Sequence, residues 1–269
     1  MAKHTSPIFV GGVGRSGTTL LRVILDSHSH IACGPEFKLI PGIIRQWEQM
    51  SQVCAGPLQP YGLSQRDING IFRQFIESLV ANYKTISGKR RIAEKTPGNV
   101  ICFPQLNQIF PDSPLIHVIR DGRDVICSLL TMDWVTGNGK MSPHVESADS
   151  AAQYWVNTVQ RGMAAARQPS ASERYYEIRY EEIVSSPEKT LRSLFDFLDE
   201  PWESEVLNFY KVSRDLAGES SATQVSQPIT TSAVARWKTD LSEADKKTVR
   251  RIAGPLLVQL GYAENNDWQ

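Results

Sequence analysis

The glycine-rich stretch Gly11-Gly12-Val13-Gly14-Arg15-Ser16-Gly17-Thr18-Thr19 limits the possible folds more than any other part of the chain. It is preceded by the β-branched and aromatic triplet Ile8-Phe9-Val10 and followed by Leu20, Leu21, Ile24 and Leu25 at helical spacing. This pattern predicts strand, glycine turn, helix. In such a turn, successive backbone N–H groups and the positive end of the helix form an anion cradle. Glycines let the backbone approach the anion, and Ser16, Thr18 and Thr19 add hydroxyl donors. The spacing from Gly12 to Gly17 is that of a Walker A loop, but Thr18 stands where the P-loop lysine belongs. A GTPase or ATPase would lack its β/γ-phosphate clamp here, and Arg15 supplies charge from inside the turn instead. An ordinary βα turn needs neither the arginine nor the three hydroxyls.

The rest of the chain continues the alternation. Pro41 to Trp47 begins a helix, Cys54 to Gly62 is a loop rich in Pro and Gly, and Asp67 to Tyr83 is an amphipathic helix. Arg91 to Glu94 is a strand, and Thr96-Pro97-Gly98-Asn99 opens a helix. Leu115 to Ile119 is a continuous apolar strand, with a helix from Val125 to Met132 after it. Trp134 to Ser147 is a long loop, Ala148 to Arg167 a helix, Tyr175 to Arg179 a strand and Pro187 to Leu198 a helix. Ala217 to Ser232 has no period and reads as a long ordered loop or a lid, and Glu243 to Leu260 is a last helix. Apolar runs of this kind suit parallel strands covered on both faces. The expected fold is α/β, a P-loop-like three-layer arrangement with a central parallel sheet and helices on both faces. One domain is expected over residues 1–269.

A second constellation is Arg120-Asp121-Gly122-Arg123-Asp124, running on to Ser128. Arg120 stands at the carboxyl end of a buried strand, where open α/β sheets bind ligands. Ser128 is expected about one turn inside the next helix, so both residues can meet one phosphate. The arginine fork makes bidentate bonds to phosphate oxygens. Read alone, the segment is equally well a surface salt-bridge cluster.

Charge and cysteine content exclude other classes. With 29 basic and 29 acidic residues the formal net charge is zero, which argues against coating nucleic acid or anionic membrane. No apolar run approaches the roughly 20 residues of a membrane span. Cys33, Cys54, Cys102 and Cys127 form no CxxC pair, so no metal site is expected. An even cysteine count permits two disulfides. The polar start, Met1 to Pro7, has no secretory pattern, so the thiols are expected reduced in a cytoplasmic protein.

Taken together, the two constellations resemble the 5′-phosphosulfate loop and 3′-phosphate segment of the PAPS-dependent sulfotransferases, where PAPS is 3′-phosphoadenosine 5′-phosphosulfate and PAP its product. Within that family the chain is most similar to the catalytic domain of tyrosylprotein sulfotransferases, from Ile8 to about Tyr262. Further matching stretches are Leu25-Asp26-Ser27-His28, Cys33-Gly34-Pro35-Glu36, Lys95 with Pro97, Tyr180-Glu181, and Gln224-Val225 through Pro228 to Arg236-Trp237. The resemblance implies that Arg15, Ser16, Gly17, Thr18 and Thr19 hold the 5′-phosphosulfate. Arg120, Ser128, Tyr180 and Arg236 (where the family has lysine) would hold the 3′-phosphate. It implies Glu36 as catalytic base, with Lys95, Arg15 and Ser221 stabilising the leaving group without a metal. The acceptor is a hydroxyl: a peptide tyrosine, a small molecule or a carbohydrate alcohol.

Three further positions, Ala93, Met132 and Gly42, depart from the family. Cys33 matches a disulfide cysteine whose partner position is Ala93, which fits a cytoplasmic relative rather than a Golgi enzyme. A third arginine near the 3′-phosphate aligns with Met132, which leaves two alternatives: a lower PAPS affinity, or compensation by Arg123. Of two basic residues that greet acidic peptides, one aligns with Lys38 and the other with Gly42. Among the histidines, His117 reads as a packed core residue and His28 and His30 as turn residues. Two other classes stay open: a nucleotide kinase with a degenerate P-loop, which needs an acidic Walker B strand end not found here, and a non-catalytic nucleotide-binding protein.

Overall fold

The computed structural model describes residues 5–54, 59–136, 138–168, 171–216 and 218–268. Five strands form its sheet: β1 (Ile8–Gly12), β2 (Ile31–Cys33), β3 (Arg91–Lys95), β4 (Leu115–Ile119) and β5 (Tyr175–Arg179). They lie side by side in the order β2-β3-β1-β4-β5, and every pair is parallel. The helices are α1 (Thr18–Ser27), α2 (Ile40–Cys54), α3 (Gln65–Ile86), α4 (Phe103–Ile109), α5 (Gly122–Leu129), α6 (Pro143–Glu146), α7 (Ala148–Ala166), α8 (Tyr180–Ser185), α9 (Pro187–Leu198), α10 (Ala222–Val225), α11 (Trp237–Asp240) and α12 (Glu243–Gln259).

Central strands feed both faces of the sheet because successive side chains point to opposite sides. Ile8 and Val10 join a core built with Leu21, Ile24 and Leu25 of α1 and with Leu191, Leu194 and Phe195 of α9. Between them, Phe9 points the other way, among Ile44 of α2, Phe72 of α3 and Phe103 of α4. A third cluster joins α5, α7 and α12 around the fully buried Trp155. Each buried Leu, Ile or Phe side chain contributes roughly 1.5–3 kcal/mol. No described helix is long and apolar enough to cross a membrane.

The three-layer α/β expectation holds, and the differences from the sequence reading are local. Helix α5 begins at Gly122 rather than Val125, because the Asp121 carboxylate accepts from the Arg123 N–H at 2.9 Å and caps it. Only glycine fits at 122: a Cβ there would lie 2.7 Å from the Trp155 ring. The helix expected at Thr96 starts as a 3₁₀ segment, Pro97–Cys102, before α4. The stretch Trp134–Ser147 contains α6 and a Val135–Met141 bridge, and α10 lies within 217–232. The 55–58 part of the Pro/Gly loop lies outside the described residues, as does Ala217. Elements not expected include the three-residue edge strand β2, the short helices α8 and α11, and a 3₁₀ segment, Ser204–Lys211.

Because all five strands are parallel, their carboxyl ends meet along one edge of the sheet. The residues just past those ends are Arg15 after β1, Glu36 after β2, Arg120 after β4 and Tyr180 after β5, with Lys95 ending β3. The order reverses at β1, which has β3 on one side and β4 on the other. That crevice is the switch point where open α/β sheets take ligands.

Candidate active site

The turn after β1 is closed by the Ser16 N–H on the Val13 carbonyl at 3.1 Å. Two of its residues are left-handed, Arg15 at φ 73° and Gly17 at φ 92°. For a non-glycine residue such a backbone costs of order 1–3 kcal/mol and persists where the surroundings enforce it. Gly17 is doubly constrained, since a Cβ there would sit 2.4 Å from the Tyr180 ring. Helix α1 has no side-chain cap and no acidic residue in its first turn, so its positive end is left for an anion. Ser16 Oγ is buried without a hydrogen-bond partner.

Three guanidiniums converge beside this turn. Arg15 donates from Nε to Ser128 Oγ at 2.9 Å, and from Nη1 to Ser220 Oγ at 2.8 Å and Ser221 Oγ at 3.1 Å. Arg120 donates from Nη1 to the Arg15 carbonyl at 2.9 Å and from Nη2 to the Ala233 carbonyl at 2.5 Å. It lies 4.5 Å over the Tyr180 ring, and its Nε is buried without a partner. Arg236 completes the group and pairs with Asp240 at 2.7 Å. Together with Ser128, Tyr180 and Ser221 they line a cavity of about 210 Å³. Among the described residues neither Arg15 nor Arg120 forms a salt bridge. Burial, followed by repulsion from Arg120 and Arg236, holds the Arg15 guanidinium below its ordinary pKa. Asp124, the carboxylate nearest in effect to Arg120, spends its oxygens on the Ala235 and Trp237 N–H groups. Ser128 is in the second turn of α5 rather than the first, a consequence of the earlier start of that helix.

On the other side of the turn Lys95 is wholly buried. Its Nζ donates to Glu36 Oε1 at 2.5 Å, to Glu219 Oε2 at 3.3 Å and to Thr19 Oγ1 at 3.4 Å. Glu36 is 22% exposed. With Thr18, Thr19, Lys38, Pro97, Trp134 and others it lines a second cavity of about 380 Å³. All the residues expected to carry chemistry therefore converge on one edge: Arg15 to Thr19, Glu36, Lys95, Arg120, Ser128, Tyr180, Ser221 and Arg236.

Glu219 was not anticipated. Its Oε1 lies 3.1 Å from Arg22 Nε, and its Oε2 accepts from Thr19 Oγ1 at 2.8 Å. It belongs to an aperiodic segment, and only its place two residues before Ser221 hinted at it.

Other expectations are placed as follows. Arg123 does not reach the arginine cavity: Asp121 binds it twice, the Tyr262 carbonyl accepts from it, and Trp237 and Trp268 stack on it. It therefore cannot replace the arginine missing at Met132. His117 is a packed core residue, bonded to the Tyr175 hydroxyl at 2.6 Å, and burial lowers its pKa to about 3. His28 is more than a turn residue, being fully buried, stacked on Phe195 and bonded to the Pro201 carbonyl. Cys33 and Ala93 are direct register partners across β2 and β3. Cys33, Cys102 and Cys127 are buried free thiols, and the Cys54 side chain lies outside the described residues. Lys38 is exposed, 3.9 Å from Glu36 Oε2. Among the described residues, one group meets metal-ligand spacing: His28, His30 and Glu200. Arg90 and Arg91 already occupy its carboxylate.

The chain is similar to known proteins in sequence and in fold. The sequence model of the sulfotransferase family matches residues 7–204. The chain is 31% identical to protein-tyrosine sulfotransferase A of Caenorhabditis elegans, over 97% of this chain and 69% of that protein. Identity to the Drosophila melanogaster protein-tyrosine sulfotransferase is 29% over 95% of this chain, which spans about half (51%) of that relative. A sulfotransferase domain from the curacin biosynthetic pathway superposes with a TM-score of 0.65 at 25% identity, covering 94% of this chain and 97% of that one. With a five-strand parallel sheet and a glycine-rich turn at its switch point, the chain belongs to the sulfotransferase family and is a PAPS-dependent sulfotransferase.

Proposed function

We propose that this chain transfers the sulfuryl group of PAPS to a phenolic hydroxyl, with Glu36 as general base and without a metal. The observation that carries the reading is the uncompensated charge of Arg15 and Arg120, both of which donate only to neutral oxygens. A buried and a half-buried guanidinium, neither bonded to a carboxylate among the described residues, form a site for a multiply charged anion. In this reading Arg120, Ser128, Tyr180 and Arg236 take the 3′-phosphate. The turn N–H groups, Ser16, Thr18, Thr19 and Arg15 take the 5′-phosphosulfate.

The acceptor enters the cavity that Glu36 shares with Thr18, Thr19 and Trp134. Glu36 removes the hydroxyl proton as the acceptor oxygen bonds to sulfur, and the bond from sulfur to the bridging oxygen breaks in line with it. PAP departs with the new negative charge on that oxygen. Lys95, Arg15 and Ser221 stabilise this charge, so preset cations do what a metal ion would do elsewhere. The phenolic choice rests on the relatives named protein-tyrosine sulfotransferases and on Trp134 and Tyr154 in the cavity wall. With Gly42 in place of a basic residue, acidic flanking sequence is not required. The reading also includes one domain in a reducing, cytoplasmic setting, supported by three buried free thiols whose pKa values burial pushes up to about 12.

The test is thermal denaturation with PAP, ADP and AMP, followed by incubation with PAPS and panels of phenols, tyrosine peptides and glycans. PAP should stabilise far more than the other two nucleotides, and phenols should gain the mass of one sulfate. Equal shifts from all three nucleotides would remove this reading.

A further inference from the structure

Arg22 is 1% exposed, one of the most deeply buried charges in the chain. Its Nη1 donates to the Cys33 carbonyl at 3.2 Å, and its salt-bridge partner is Glu219. Removing one member of a buried ion pair leaves an uncompensated charge and is strongly destabilising. Arg22 sits in α1, and Glu219 must stay to neutralise it.

The immobility of Glu219 has its consequence at Lys95. Its second oxygen faces Lys95 Nζ, so the ammonium has Glu36, Glu219 and Thr19 as acceptors for its three N–H groups. When Glu36 takes a proton from the acceptor it must loosen its hold on Lys95. Glu219 then remains as the counter-ion, and the ammonium does not follow Glu36.

We infer that Glu219 is a positioning residue: anchored by Arg22, it holds the Lys95 ammonium at the leaving oxygen. The inference rests on the reading of Lys95 as the leaving-group cation. The other conceivable role is a stand-in for the donor's anion, expelled when PAPS arrives, but expulsion would strand Arg22 in the core.

A double-mutant cycle with Glu219→Gln, Lys95→Ala and the pair decides the matter, reading kcat, melting temperature and the thermal shift given by PAP. Glu219→Gln alone should lower kcat by about 10²-fold, the cost of a reacting group misplaced by about an ångström. The PAP shift should remain that of the wild type. With Lys95 already removed, the same change should cost less than about 2-fold in kcat. Equal losses in both backgrounds would show a general structural effect and overturn the inference, as would tighter PAP binding by Glu219→Gln. Should Glu219→Gln fail to fold, Glu219→Asp keeps the charge opposite Arg22 but draws it back by one methylene. Its melting temperature should stay near wild type while kcat falls by about 10-fold, and an unchanged kcat overturns the inference. A wild-type protein that does not turn over PAPS overturns the parent reading and this inference with it. Losses that merely add overturn this inference alone.

Discussion

The two cation clusters flanking the glycine-rich turn after β1 are balanced in opposite ways. On one side, Lys95 is held by two carboxylates, Glu36 and Glu219, and Arg22 shares the second. On the other, Arg15 and Arg120 bond only to hydroxyls and carbonyls, and Arg236 alone has an acid, Asp240. Under the proposed function, the difference separates chemistry from binding. A cluster that must move a proton carries its own counter-ions, so its geometry is set before any ligand arrives. A cluster that must bind a polyanion leaves its charge unspent, and the ligand supplies what is missing.

The sharpest way to break this division is Glu36→Gln. If Glu36 belongs to the reacting side, kcat should fall by about 10²-fold or more, the usual worth of a positioned base. The thermal shift given by PAP should stay as it was. With a phenol, whose unperturbed pKa is about 10, the loss should shrink as pH rises and phenolate forms unaided. Near-normal kcat at neutral pH would sink the assignment.

Arg120→Ala tests the binding side. A ligand at 100 times its Kd stabilises by about 2.7 kcal/mol. Most of the difference between PAP and ADP should vanish in the variant, because only PAP carries the 3′-phosphate. If PAP still outperforms ADP by the wild-type margin, the unspent charge serves something else.

His117 offers a control outside both clusters. Its folded pKa of about 3 lies below the ordinary 6.5. Between those two values the unfolded chain binds the proton and the folded chain does not. The contribution of His117 to stability is thus present above about pH 6.5 and lost as pH falls through that window, at most about 1.4 kcal/mol per unit. In His117→Asn the acid slope should be shallower by this amount, with PAP binding unchanged. Identical slopes in the two proteins would contradict the burial argument.

The smallest effect expected is none: activity measured in EDTA should equal that without it. Loss on chelation, restored by Mg²⁺, would give the reacting side to a metal and favour the kinase alternative.

Most of the fold was legible because it is written in local patterns. Strands β3, β4 and β5 and helices α1, α7 and α9 follow from apolar period and from glycine and proline punctuation, with small shifts at their ends. Strand β2 was not, since three residues are too few to display a period. Helix α5 was expected late because its start depends on one side chain, Asp121, folding back onto the backbone.

By itself, the sequence determined the α/β class, the anion-binding turn and the residue types able to bind and react. Those are properties of neighbouring residues, carried by backbone conformation and burial pattern. Tertiary structure alone decided that five parallel strand ends would place Arg15, Glu36, Lys95, Arg120 and Tyr180 on one edge. It also removed Arg123 from that edge, into a cage of Asp121, Trp237 and Trp268. Glu219 marks the limit most clearly. Two of its partners, Thr19 and Lys95, lie 200 and 124 positions away along the chain. No local period encodes such a contact, because only the closing of the sheet and the return of the chain bring those atoms together.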